Sequence, residues 1–520
     1  MSNLSKKIGS LLLAGISVVM FASCGKSNNE GSDLPDDIEV SEWTDESVNG
    51  TLGIRVWKGG FGTLWLENVA AGFKKHYPNV SISVKPSEER KQVYSEIVSG
   101  LETKYDVFFS EALVKEQTDY LIDLSEVYDF QWEGEDRKIS EKINSTMIDA
   151  CTVNGKPYMV PSYAGGMYGI VYNTQWIEDF PVTTDGLLEL CETLKGNSVT
   201  PIVFGQADYW NYAYSIWFAQ YEGVQTVLNA QIGRNTEGKI DPTVAYLEGG
   251  LKSMQTVEDF LWYENKNIAA DSTGLQFIIA QRQFLKEEKA AMMCNGSWMM
   301  NEMYRHLDGN YDFKMAKFPV ISSIKEKCTT IADDKELTAL INAIDNGQTA
   351  LSGEGYEVNQ ADFDKIKEAR SLIYSSGEAA TGVITKASKN QELAKLFLKY
   401  LYSDEGIKLM AQSQCGATLP VVGYDFSKEL GDMDAKTESF LTSSYNIIFN
   451  STVFLNNASA AVTPYYSTNG STYEILFGSK NSADRVRAAQ LYEQRKTLWS
   501  ANNYSKFYEE MNRAGLSVTD

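Results

Sequence analysis

The sequence predicts an α/β protein of more than one lobe, with a parallel sheet in each. Three observations carry that expectation. Apolar spacing alternates between strand and helix periods in the order β-α-β-α-β over residues 53–109. A second block of the same kind follows a glycine-broken apolar strand at residues 165–173. The roughly 470 residues left after the N-terminal segments exceed the ~100–200 typical of one domain.

Residues 53–57, ending in Trp57, read as a strand. Trp65, Val69 and Phe73 then repeat every four residues up to the stop at Pro78, and Val80, Ile82 and Val84 alternate as a second strand. Val93, Ile97 and Leu101 form another helix stripe before a third, fully apolar strand at 106–109. Strands and helices in this order imply a parallel sheet with right-handed crossovers. In such open sheets ligands bind beyond the carboxyl ends of the strands, which selects residues 58–63 after the first strand and Ser110 and Glu111 after the third.

Gly165, Gly166 and Gly169 interrupt the next strand, either as a hinge between lobes or as a bulge or close packing site. Seven aromatics lie between Asp208 and Glu222. With Asp208 as N-cap, Trp210, Tyr214, Trp217, Phe218 and Tyr221 share one helix face, the pattern of a buried stripe. Tyr209 and Tyr212 fall off that stripe at the helix start, where flat rings with polar tips suit the C–H face of a pyranose. Trp210 is read both as core and as a ligand contact. Residues 290–294 form a buried strand, and Asn295-Gly296 turns the chain toward Trp298 at a strand-to-helix junction, where the ring either packs or stacks on a ligand.

Residues 322–376 read as a helical insertion, with one stripe at Leu337, Leu340 and Ile341 and another at Ile366, Ala369 and Ile373. Its acids, Asp333, Asp334, Glu336 and Asp345, lack the spacing of a calcium loop, and no metal is expected. Ser388 with Gln391 reads as a capping box, and Ser403 starts a further helix. Thin connections between lobes are expected near Tyr172 and Gly382.

The N-terminus fixes the compartment. Lys6 and Lys7 precede an apolar run from Leu11 to Phe21, too short to span a bilayer, followed by Ala22-Ser23-Cys24. Residues 25–50 are acidic and rich in Ser, Asn and Gly, which reads as a disordered tether. Cleavage after Ser23 removes two lysines and no acid, taking the formal charge from −22 to −24, which repels nucleic acid and anionic lipid. The remaining cysteines, Cys151, Cys191, Cys294, Cys328 and Cys415, are odd in number and scattered, so they read as small buried hydrophobes. The two histidines, His76 and His306, read as surface residues and argue against a His-based zinc site or a Ser-His triad. Gly59-Gly60-Phe61-Gly62 lacks the Lys-Ser/Thr ending of a phosphate loop and reads as a turn.

The segment ending in Cys24 resembles the lipobox of bacterial lipoproteins, with Phe21 in place of the usual Leu; that resemblance implies an acylated Cys24 and a lipid anchor on the extracytoplasmic face of the cell membrane. The rest of the chain resembles the carbohydrate-binding, maltose-binding-protein-like group of bacterial ABC-transporter solute-binding proteins. The likeness rests on residues 73–80 and 106–109, on Pro161 through Asn173, on Lys289 through Trp298, and on residues 389–394 with 403–406. It implies a type II two-lobe periplasmic-binding-protein-like fold with lobes joined by a hinge. Lobe 1 would take residues 51–170 and 383–440, and lobe 2 residues 171–382 and 441–520. It also implies a monomer that takes a carbohydrate ligand, uses no cofactor and delivers to ABC permease subunits. The ligand contacts it implies, with the strand-end positions above, are Trp57, Glu111, Tyr163, Tyr209, Trp210, Trp298 and Tyr465, the last with Tyr466 beside it. The rival readings are a surface glycoside hydrolase, which needs two carboxylates about 5–9.5 Å apart, and an adhesin.

If the lipid at Cys24 is what holds so acidic a chain to a membrane, Cys24→Ala releases the protein into the soluble fraction. Fractionation after a high-salt wash reads this out, and retention of the variant with membranes counts against lipidation.

Overall fold

The computed structural model describes residues 34–498 apart from internal stretches, the longest being 304–311, 425–439, 444–452 and 456–485. Cys24, Asp208, His306, Cys415, Tyr465 and Tyr466 lie outside the described residues. Ten of the described strands build two five-stranded sheets: β1 Gly50–Trp57, β2 Val80–Ser87, β3 Val107–Glu111, β4 Val160–Tyr163, β5 Met167–Asn173, β6 Met292–Gly296, β7 Phe313–Ala316, β8 Leu372–Ser375, β9 Ala380–Ile384 and β10 Val453–Leu455.

The first sheet has the order β2-β1-β3-β9-β4, with β1 parallel to β2 and β3. The helix Leu64–His76 covers one face with Trp65, Val69 and Phe73, and the helix Arg90–Val98 covers the other with Val93 and Ile97. Leu101, expected in that second stripe, lies beyond the helix end and is 70% exposed. In the second sheet, β5 pairs with β6, β7 and β8, and β8 pairs with β10.

The expectation of parallel sheets needs correction in both lobes. β9 runs antiparallel to β3 and β4, and β5 runs antiparallel to β6, β7 and β8. Both exceptions are the strands that arrive from the other lobe. β5 follows β4 after residues 164–166, and β9 follows β8 after residues 376–379. A strand entering through the edge at which its neighbours end must run against them. The connections therefore sit at those two short stretches. Tyr172 and Gly382, expected near them, are inside β5 and β9, where β9 packs Gly382 against Phe109 and Val160.

Helix Trp210–Glu222 buries Trp210, Tyr214, Trp217, Phe218 and Tyr221. It begins with Tyr209 at the N-cap position, in place of the expected Asp208. The region 322–376 holds the helices Asp334–Asp345 and Gln360–Ser371, capped by the Asp333 and Asn359 side chains. Leu337, Leu340, Ile341 and Ile366 belong to the main buried cluster, and Ile373 sits in β8, so the region is part of the second lobe's body. Among its acids, Asp333 and Glu336 accept backbone N–H bonds, Asp334 accepts from Thr183 Oγ1, and Asp345 forms a paired bond with Arg370. The capping box at Ser388 does not form: the Ser388 hydroxyl donates to Asp106 while Asn390 takes the N-cap position of the helix Gln391–Leu401. Ser403 does cap the helix Asp404–Gln412, accepting from Gly406 N.

Of the expected tether, residues 24–33 lie outside the described residues, and the segment after them docks on the first lobe. Trp43 stacks on the His76 ring at 3.8 Å, and Asp45 N donates to the His76 carbonyl. His76, read from sequence as a surface residue, is fully buried between the Trp43 carbonyl (2.8 Å) and the Glu405 carboxylate (2.5 Å). Ser41 N and Oγ and Tyr400 Oη also donate to Glu405. Burial alone pushes the Glu405 carboxyl up, but the bonds from His76, Ser41 and Tyr400 outweigh it and hold the group at about 2 against its ordinary 4.5. A carboxyl depressed in the folded state adds stability above about pH 4.5 and loses it as pH falls toward 2, here up to about 3 kcal/mol. Urea unfolding between pH 6 and 3 is expected to show this acid loss in the natural chain and not in Glu405→Gln. Equal acid sensitivity of the two would remove Glu405 as the anchor of the segment.

Candidate functional site

The carboxyl ends of β1, β3 and β4 in the first lobe face those of β6 and β8 in the second, and aromatic rings fill the space between them. Phe61, in the turn after β1, lies 4.7 Å from Tyr163 at the end of β4 and 5.3 Å from Trp298 of the other lobe. Trp65 closes the first-lobe side, 5.8 Å from Tyr163. Across the gap, Trp298 meets Tyr168 (5.0 Å) and Tyr209 (5.8 Å), and Tyr168 meets Tyr212 (3.8 Å), which meets Tyr374 (4.4 Å). Most of these rings stand edge to face or tilted, the arrangement their quadrupoles favour. The seam merges the cores of the two lobes into one buried cluster.

Trp298 is the hinge pin of the seam, and glycines make room for it. A Cβ on Gly60 would come 2.6 Å from the indole Cδ1, one on Gly166 2.6 Å from Cε3, and one on Gly296 would collide with the six-membered ring. Asn295 and Gly296 belong to β6, and the chain turns at Ser297 and Trp298, two residues later than expected. Asn301 Nδ2 donates to the Gly60 carbonyl at 2.6 Å, a direct bond between lobes. Burial and the neighbouring Tyr212 push the Tyr168 hydroxyl well above its ordinary pKa, so it stays protonated and able to donate.

The structure brings Tyr163, Tyr209 and Trp298 together, with Tyr212 beside them. Glu111 ends β3 at the same edge, paired through its backbone with Ala380, which in turn pairs with Tyr163. Two other sequence candidates stand elsewhere. Trp210 is 1% exposed, 6.2 Å from Trp217 and 5.7 Å from Phe260, so it is core, as its helical stripe indicated. Trp57 turns to the opposite face of the first sheet, against Gly59 and the cluster of Val93, Ile97 and Phe108, because successive side chains of a strand alternate. Sequence reasoning missed Tyr168 and Tyr374 and held Phe61 only as one of residues 58–63. Tyr168 lay in a strand read as a connection between lobes, and Tyr374 in a region read as a helical insertion, where the structure forms β8.

Among the described residues no cluster of three His, Cys, Asp or Glu is placed to hold a metal ion. Cys151, Cys191 and Cys294 are buried and Cys328 is partly so, as expected of small buried hydrophobes. A shallow surface pocket lined by Tyr221, Glu222, Lys327, Asp364, Lys365 and Glu368 lies on the second lobe, away from the seam, with Lys327 4.0 Å from Glu222 and Lys365 donating to the Lys327 carbonyl.

Among curated proteins none matches the chain. The sequence pattern of bacterial extracellular solute-binding proteins matches residues 60–324, from the Phe61 turn through β7. That span is half of the chain and includes every described ring of the seam except Tyr374. With two α/β lobes whose carboxyl edges face each other, the chain belongs to the bacterial extracellular solute-binding protein family.

Proposed function

We propose that the protein captures a neutral sugar or oligosaccharide between its lobes and delivers it to the permease of an ABC importer while held to the membrane by a lipid on Cys24. The observation that carries the sugar reading is the aromatic seam. Trp298 and Tyr209 from one lobe oppose Phe61 and Tyr163 from the other, offering flat apolar faces whose tyrosine tips can bond hydroxyls. The family is one of solute carriers, and binding without turnover is the activity assigned here.

Contacts from both lobes are what a closing clamp requires, since a ligand shifts an open–closed equilibrium only by its differential affinity for the two forms. A thermal-shift screen of mono- and oligosaccharides tests the reading. A ligand at 100 times its dissociation constant adds roughly 2.7 kcal/mol to a protein it binds only when folded. Absence of any stabilising sugar removes the carbohydrate assignment.

Trp298→Ala is expected to weaken the sugar found by on the order of 1–3 kcal/mol. Trp217→Ala is the control. Its ring is fully buried beside Phe260 with Nε1 donating to Pro319 O, so truncation costs about 3–5 kcal/mol of folding stability. For the clamp, small-angle scattering should show a smaller radius of gyration with saturating sugar. Gly60→Val, whose side chain meets the Trp298 ring, should keep the larger value. An unchanged radius in the natural chain, with binding confirmed by calorimetry, rules out lobe closure.

A further inference from the structure

Glu302 stands one helical turn beyond Trp298, its backbone N–H donating to the Trp298 carbonyl at 3.1 Å. Its side chain is solvent-accessible and reaches across to the first lobe, where a Cβ on Gly60 would lie 3.0 Å from Oε1. Oε2 accepts a bond from Gln281 Nε2 at 2.9 Å. Gln281 is fully buried, and its own Oε1 has no partner.

Three partly buried acids of the chain carry a counter-charge. Glu96 pairs with Arg55, Glu135 with Lys142, and Glu258 with Arg487. Among the described residues no cation pairs with Glu302, and desolvation raises its carboxyl above the ordinary range. A fixed acceptor beside stacked rings is what a ligand with hydrogen-bond donors would use.

We propose that Glu302, held by Gln281, is the acceptor through which the cleft reads the donor groups of its solute while the ring or chain of that solute rests on Trp298. The inference relies on the proposed function for the place of the site, and for hydroxyls as the donors. Bonds to a charged acceptor are worth enough that their loss weakens binding about 10- to 100-fold.

The test uses the full chain with two probe panels. One holds D-glucose, D-galactose, D-xylose, maltose and cellobiose, and the other holds choline, spermidine, L-lysine and L-arginine. Thermal shift identifies the solutes bound by the natural chain, and calorimetry compares them with Glu302→Gln. Glu302→Asp, which keeps the charge but withdraws it by one methylene, serves if the amide variant fails to fold. A sugar that binds the natural chain and loses 10-fold or more in the variant supports the inference. Amines as the only solutes bound, with the same loss, support Glu302 and sink the sugar reading. A solute bound equally by both proteins overturns the role of Glu302 and leaves the sugar reading standing. No stabilisation of the natural chain by either panel overturns both.

Discussion

The architecture depends on two strand crossings made with very little chain. Residues 164–166 and 376–379 carry β4 into β5 and β8 into β9. At about 3.3–3.6 Å a residue, the four or five Cα steps available span at most ~13–18 Å. The two carboxyl edges are therefore forced to face each other closely. The antiparallel strand in each sheet, the placement of β-strand ends around one gap and the lining of that gap by strand-end residues follow from this constraint.

What fills the gap is chosen by shape as much as by chemistry. Trp298 needs a slot bounded by glycine on three sides, and those glycines come from both lobes: Gly60 from the first, Gly296 from the second and Gly166 from the connection between them. The seam is then held by ring pairs, each worth roughly 0.5–1.5 kcal/mol beyond area burial, and by the Asn301–Gly60 bond. A solute with contacts on both sides of such a seam shifts the balance between open and closed forms by its differential affinity for the two.

The sequence made the periodic parts legible. The stripes of Trp65, Val69 and Phe73 and of Trp210 through Tyr221 are buried helix faces, and the alternating residues of β2 and the apolar run of β3 give a parallel β2-β1-β3 core. It was less informative wherever a residue's surroundings come from distant segments. His76 is polar enough to suggest a surface place, yet Trp43 and Glu405, 33 and 329 positions away, enclose it. Gly60, Gly166 and Gly296 suggest turns and hinges when read singly, and only the fold reveals that one indole ring unites them. Trp57 and Trp210 are separated from Tyr163 and Tyr209 by strand alternation and helix phase, and a list of aromatic residues near strand ends does not carry that distinction.

The docked N-terminal segment gives the molecule a direction. Asn79 Nδ2 donates to the Glu46 carbonyl and Gly50 N to the Asn79 carbonyl, so residues 38–49 lie at the amino ends of β1 and β2. The aromatic seam lies beyond the carboxyl end of β1. Eight residues of strand separate the two, on the order of 25 Å. The bonds that Glu405 receives from Ser41, His76 and Tyr400 keep the entering chain at that far pole and leave the edge bearing Phe61 clear. The aromatic seam thus lies on the side of the first lobe away from the docked N-terminal segment.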